Sequence, residues 1–493
     1  MRSAALSILI FLFSTFAFSN ANAQSCDCNR AFSFVRAKVE ENFAGFQDKV
    51  RGANAETYQA HTSHYDRLTT QTEDIFYCVK LIRDWVRFFN EGHVQLVYNR
   101  PDFSSYADQE IRNHFANTRS FDKWTEKKAL QYLKKNELDP IEGIWENASG
   151  TYRTFIRRGE NKSQDNYFMG TILKADSIYW MPGQVKVDIY KTTEGYVADY
   201  YYRDHHPERV AVNLAFQSGM IEFVGLTQWK KKVPSIDSNQ GVVMDPEYFS
   251  KHNQAPKPEF STLDDETNLL ILPSFGGEYA FQIDSLIRTN MSSLTSKPNL
   301  IIDLRGNEGG TDFCYAPIIP ILYTHPIFTK GVSIYASEDN IRSWEILLED
   351  PNFSPSIKAR IQELVEKMKA NRNGFIEIAG ETTNSDTVFQ YPSKVGIIID
   401  NRCASSAEQF LLAAKQSKKV TLFGQSTAGV VDYSNMRSVP VPCFPYTLEY
   451  ATSRSNRLPY EPIDNQGIMP DVMLSHEHNW VAYVKHYLKK EDN

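Results

Sequence analysis

The chain has 493 residues, 42% of them hydrophobic, with 53 lysines and arginines against 60 aspartates and glutamates, a net charge of −7. The acidic balance argues against nucleic acid as a general partner. The hydrophobic content is that of a globular chain, and six cysteines are too few for a scaffold built on disulfides.

Residues 1–23 read as a secretory signal. Arg2 supplies the positive start, Leu6 to Phe18 the apolar run, and Ala21-Asn22-Ala23 a small-x-small cleavage site. The run is short for a bilayer span and lacks a basic stop-transfer flank, so an uncleaved anchor is the lesser alternative. No lipid-attachment pattern precedes Cys26. The mature chain, roughly 470 residues, has room for about three domains. It is expected outside the cytoplasm, periplasmic or secreted, without stable membrane insertion. An oxidising compartment permits bridges among Cys26, Cys28, Cys78, Cys314, Cys403 and Cys443. Cys26-Asp27-Cys28 is one residue short of a redox Cys-x-x-Cys, and one of the two is expected to pair with Cys78.

Residues 24–137 have helical texture. Phe32, Val35, Val39 and Phe43 follow helical spacing, as do Ile75, Val79, Ile82, Val86 and Phe89 in a helix reaching about Asn90, with Gly92 as its stop. A further helix is expected over 120–135. Residues 138–235 change to short alternating strands. Val185, Val187 and Ile189 alternate with polar residues, and turns recur at Pro182-Gly183 and Glu194-Gly195. This predicts a small antiparallel barrel or sandwich. Residues 236–262 are polar, with Pro246, Pro256 and Pro258, and read as a linker. Residues 263–493 alternate strands and helices. Leu269–Leu272, Leu300–Leu304, Val395–Ile399 and Val420–Phe423 have buried-strand length, and helices are expected near 279–296, 313–323 and 405–417. That is the pattern of an α/β domain with a buried sheet. An inserted helix carries Ile357, Ile361, Leu364, Val365 and Met368 on one face, which favours packing over capping an active site.

Two segments carry the candidate chemistry. In Asp400-Asn401-Arg402-Cys403-Ala404-Ser405-Ser406-Ala407-Glu408, a buried strand runs through small residues into a helix. A serine there sits beside unpaired backbone N–H groups that can hold an oxyanion. The competing reading is an N-cap serine, with Glu408 completing a capping box. In Asn299 to Gly310, another buried strand runs into Arg305-Gly306-Asn307-Glu308-Gly309-Gly310. Glycines there can aim N–H groups into a cavity. The turn lacks the Lys-Ser/Thr of a P-loop and the spacing of a dinucleotide fingerprint. His205-His206 and His476-x-His478 have no companion ligands at a familiar spacing, so neither a metal nor any other cofactor is expected.

Together, these segments resemble the carboxy-terminal-processing (tail-specific) serine protease family. Two further motifs follow in the family's order, the turn Phe423-Gly424-Gln425-Ser426-Thr427 and the closing stretch Ile463-Asp464-Asn465-Gln466-Gly467-Ile468-Met469-Pro470-Asp471. The resemblance implies a crotonase/ClpP-like α/β catalytic domain acting on peptides or proteins. It implies Ser405 as nucleophile, with the backbone N–H groups of Ser406 and of Gly309 or Gly310 as oxyanion hole. The lysine base of the family's Ser-Lys dyad is missing, since Thr427 to Tyr433 contains none. The tricorn-core branch uses a histidine after an early helix instead, which falls on His93. Its carboxylate falls on Asp464, with Glu461 the alternative. No recognisable PDZ domain lies between the helical and catalytic regions. The resemblance thus implies an exported serine peptidase with a Ser405–His93–Asp464 triad. Two other functions fit the same residues: a catalytically degenerate family member that binds peptides or apolar ligands, and an esterase or amidase using the same triad.

Overall fold

The computed structural model describes residues 27–490 apart from 73–74, 117–118, 120, 135–136, 148–149, 160–165, 176, 193–194, 216–218, 225, 235–256, 352, 443 and 476–478. The expected signal segment, most of the expected linker, Cys26, Cys443, His476 and His478 therefore lie outside the described residues. The architecture is mixed α/β with several cores.

The first layer is helical: α1 (Cys28–Asn42), α2 (Phe46–Val50), α3 (Asn54–Thr69) and α4 (Ile75–Val86), followed by a single 3-10 turn over Arg87–Phe89. The spaced apolar residues Phe32, Val35, Val39, Val79 and Ile82 are buried together around Trp85 and Phe89. A disulfide joins Cys28 to Cys78, tying α1 to α4. Asn90, at φ 44° and ψ 56°, ends the 3-10 turn. The stop thus comes two residues before Gly92, because asparagine also tolerates the left-handed conformation. The chain then enters β1 (Val94–Tyr98).

Next come α5 (Asp108–Phe115) and α6 (Glu126–Tyr132); α6 is shorter than the helix expected over 120–135. Strands β2 to β9, from Gly143–Asn147 to Thr227–Val233, close into an antiparallel barrel. Trp145, Phe168, Phe223 and Trp229 fill it. His205 and His206, the pair weighed as metal ligands, are buried on aromatic partners. His205 stacks on Trp180 with centroids 3.8 Å apart, and His206 stacks on Tyr98 at 3.7 Å. The Tyr446 hydroxyl also lies 2.9 Å from His206 Nδ1. Among the described residues, no group of three or more histidine, cysteine or acidic side chains is placed to hold a metal.

Residues 259–262, inside the expected linker, form β10 (Glu259–Thr262), whose Phe260 packs on the α/β core. It flanks a parallel array of β11 (Thr267–Ile271), β12 (Asn299–Asp303), β17 (Lys394–Ile399), β18 (Val420–Gly424) and β21 (Val472–Met473), giving the order β10-β11-β12-β17-β18-β21. The apolar runs of the sequence are these strands. α7 (Ala280–Leu294), α8 (Ile319–Leu322) and α11 (Ser406–Ala414) cover one face, and α12 (Trp480–Leu488) covers the other. The pair β13 (Ile327–Thr329) and β16 (Glu381–Thr383) stands apart.

A second sheet joins the layers. β20 (Tyr446–Ser455) pairs with β19 (Tyr433–Pro440), with β14 (Val332–Tyr335) and with β1; β14 in turn pairs with β15 (Phe375–Ile378). Tyr433, Tyr446, Leu448 and Tyr450 share one core with Phe32, Trp85 and Phe89. The amphipathic helix α10 (Pro355–Ala370), beside α9 (Glu338–Ile346), buries Ile361, Val365 and Met368 against Ile334 and Ile376 of β14 and β15. Its apolar face is used for packing. Among the described residues, no helix is long and apolar enough to cross a membrane.

Candidate active site

β17 ends at Ile399, and the turn Asp400–Ala404 delivers Ser405 to the start of α11. Ser405 has φ 55° and ψ −121°. This backbone conformation is strained for any residue with a Cβ, costing on the order of 1–3 kcal/mol. It sets Ser405 on a sharp strand-to-helix turn, the geometry of a nucleophile elbow, where Ser405 also forms the expected N-cap with Glu408. Ser405 is half-buried. Its N–H donates to the Val430 carbonyl at 2.9 Å and to Glu408 Oε2 at 3.2 Å.

The glycine turn after β12 closes over this serine. A Cβ at Gly309, where φ is 93°, would lie 2.7 Å from Ser405 Cβ and 2.9 Å from the Ser406 nitrogen. A Cβ at Gly310 would strike the Phe275 carbonyl at 2.0 Å. Only glycine lets the turn approach this closely. Asn307 Oδ1 accepts the Gly309 N–H at 3.0 Å, so that donor is occupied. Among the described residues, the N–H groups of Gly310 and Ser406 donate to no partner. Of the expected oxyanion donors, Ser406 and Gly310 are thus available and Gly309 serves the approach.

Glu408 is fully buried and fastens the next loop to α11. Oε1 accepts from Thr427 Oγ1 at 2.5 Å and from Gly429 N–H at 2.8 Å, and Oε2 accepts from Val430 N–H at 2.8 Å. Burial pushes its carboxyl up, against the pull of these donors. The closing motif locks onto the same loop. Ile468 N–H donates to Thr427 Oγ1 at 2.7 Å, and Asn465 N–H to the Gly429 carbonyl at 2.9 Å.

Asp464 sits in that closing motif. Oδ1 accepts the N–H groups of Val431 at 2.7 Å and Asp432 at 2.8 Å. Asp432 returns the arrangement, accepting the N–H groups of Ile463 and Asp464 on Oδ2. Asp464 Oδ2 is buried without a hydrogen-bond partner. His93, just before β1, feels the Asp464 charge, but no hydrogen bond or ion pair joins its ring to Asp464. Burial lowers the His93 pKa below the usual 6.5, while the Asp464 charge, the Tyr433 carbonyl and Glu449 pull it back up. His93 Nδ1 is buried without a partner, 3.8 Å from Glu91 Oε1. Gly92 packs against the Val430 side chain. Residues 430–432 therefore contact Ser405 through the Val430 carbonyl and Asp464 through the Val431 and Asp432 N–H groups. No hydrogen bond joins the Ser405 hydroxyl to the His93 ring. Glu461 is not drawn in: its side chain is 60% exposed and pairs with Lys330 at 3.4 Å. Glu91 is a buried carboxyl in this cluster that the sequence did not single out. Its only local signal is its place two residues before the histidine, in the turn after a helix.

Residues 267–474 match the model of Peptidase family S41. No curated protein matches the chain. Among solved structures, mature CPAF is similar over 94% of this chain and 97% of its own, at 13% identity and a TM-score of 0.48. The photosystem II D1 C-terminal processing protease is similar over 94% and 97%, at 11% identity and 0.38. The tricorn protease is similar over 94% and 36%, at 11% identity and 0.37.

Proposed function

We propose that this serine-type peptidase, with its S41 domain of the C-terminal-processing kind over residues 267–474, hydrolyses peptide bonds through a Ser405–His93–Asp464 triad. The observation that carries the proposal is the Ser405 turn: a strained serine at a helix start, with the free N–H groups of Ser406 and Gly310 beside it. The Ser405 hydroxyl attacks the substrate carbonyl. His93 takes its proton and returns it to the leaving amine. Asp464, fixed by two backbone donors, orients the imidazole and stabilises its charged form. The two N–H groups receive the oxyanion. Water then attacks the acyl-enzyme with His93 again as base.

We further assign the catalytic region, 263–493, a crotonase/ClpP-like fold, with the helical region 24–137 supplying the base, the β domain 138–235 bracing it, and 236–262 linking them. The chain is assigned to the exported proteins, cleaved after Ala23.

Incubation with a fluorophosphonate probe tests the proposal. The native protein is expected to label at Ser405 and to cleave peptides, and Ser405→Ala to do neither. Ester turnover without peptide cleavage would reassign the substrate class to an esterase or amidase. The missing Ser405–His93 hydrogen bond favours a second reading, a peptide-binding protein without catalysis, for which a native protein that does not label is the expected result.

A further inference from the structure

The turn between α4 and β1 places a carboxyl group beneath the candidate base. Asn90, in the left-handed conformation, swings Glu91 inward, and the Glu91 side chain has no exposure. Glu91 Oε1 accepts the His93 N–H at 3.1 Å and lies 3.8 Å from the ring Nδ1. Oε2 lies 3.7 Å from Lys49 Nζ and makes no hydrogen bond. The carboxyl group also faces that of Asp464. Glu91 Oε2, His93 Nδ1 and Asp464 Oδ2 are thus three buried polar atoms in one small cluster, all without hydrogen-bond partners. Buried polar groups in folded proteins are satisfied. Here the groups that need donors are next to one another.

We propose that Glu91 is a positioning residue of the site: its carboxyl shares one proton with Asp464, so that the pair presents a single negative charge to His93 and holds the imidazole in register. The proposal rests on His93 being the base for Ser405.

Two carboxylates in contact and out of water do not both ionise beside a single ammonium group. Asp464 Oδ1 already accepts two backbone N–H groups. Glu91 has one backbone donor and the distant lysine, so the proton rests on it. Burial, followed by the Asp464 charge, pushes the Glu91 carboxyl well above the usual carboxylate range, while Lys49 and the His93 N–H pull the other way. Tyr433 and Glu449 also face the cluster: the Tyr433 hydroxyl donates to Asp48 at 3.3 Å and its ring lies 5.2 Å from Lys49 Nζ, and the Glu449 charge acts on His93. A protonated Glu91 supplies the O–H that Asp464 Oδ2 lacks. A single net charge stabilises the imidazolium as it forms, without holding the resting ring protonated.

The test compares native protein, Glu91→Gln and Glu91→Ala by kcat and KM for peptide cleavage from acid to alkaline pH, with a melting curve for each. Glutamine carries an amide N–H toward Asp464 and an oxygen toward His93 N–H. Glu91→Gln is expected to keep kcat within about threefold and to lose the native fall in rate that follows, as pH rises, when the Glu91 proton leaves. Glu91→Ala is expected to lose about ten- to a hundredfold in kcat with KM unchanged. Equal losses in both variants, or a native kcat and pH profile in Glu91→Ala, would overturn the proposal. The His93 ring titration followed by NMR reads the same pairing without turnover. It is expected to be native-like in Glu91→Gln and displaced upward in Glu91→Ala, and coincident titrations in all three proteins count against the pair. A native protein that fails to label at Ser405 defeats the triad instead, and the ring titration then decides the carboxyl pair on its own.

Discussion

Ser405 is held at φ 55° with a side chain that disfavours it, and the surrounding loop enforces the conformation through the Glu408 and Val430 bonds to its N–H. Strain of this kind is relieved by removing the Cβ. Ser405→Gly is expected to be inactive yet more stable than Ser405→Ala by about 1 kcal/mol, as read by denaturant unfolding of the two variants. Equal stabilities would remove the strain from the account. Gly309 carries the opposite constraint. Gly309→Ala places a methyl group against Ser405 Cβ and is expected to lower kcat by about a hundredfold or more. The His93 pKa sits below the usual 6.5 because burial disfavours the charged ring. If His93 is the base, as proposed, it is neutral at neutral pH, so activity should persist below pH 6.5 and fall only as more acid protonates the ring. At this scale the candidate serine is legible because it lies in a contiguous strand-turn-helix segment, and the candidate Asp464 because it lies in an ordered motif. Glu91 is not, because its partners Asp464 and Lys49 come from distant parts of the chain. The choice between Gly309 and Gly310 was also closed to the sequence, since it turns on which N–H the Asn307 side chain takes.

Among the elements, β1 decides where His93 stands. Its antiparallel register, Val94 opposite Tyr450 through Tyr98 opposite Tyr446, ties the helical layer to β20. The apolar periods of α1 and α4 and the four buried runs of the large sheet were readable because each is a local pattern that burial reinforces. β1 is not legible as a strand, because its five residues make sense only against a partner some 350 residues later. The strand β10 likewise depends on its pairing with β11. The Cys28–Cys78 bridge closes a separation of 50 residues across α1 and α4. On loop-closure grounds it contributes about 4 kcal/mol. Cys28→Ala with Cys78→Ala is expected to lower the unfolding free energy by that order, measured in denaturant. Because α4 leads directly to His93, kcat should fall with it. A double variant with native stability would show that packing alone holds the layer.

At the level of the whole molecule, the barrel is pinned to the second sheet by His206, stacked on Tyr98 of β1 and bonded to Tyr446 of β20. Burial lowers both His205 and His206 to about 3. A base with a depressed folded pKa stabilises the fold above its unfolded value, near 6.5, and that contribution is lost as pH falls toward 3. Each ring is worth a few kcal/mol across this window. Acid unfolding followed by circular dichroism should therefore begin below pH 6.5. His206→Phe, which keeps the stack, should move the transition to lower pH, and an unmoved transition would place the acid sensitivity elsewhere. The same joint carries the central claim, that a helical region at one end of the chain supplies the base for a serine in the α/β domain. The most direct measurement is kcat/KM for peptide cleavage by His93→Ala, with its melting temperature as control. The account predicts a fall of about a thousandfold or more at unchanged stability. A kcat/KM within tenfold of the native protein would contradict it.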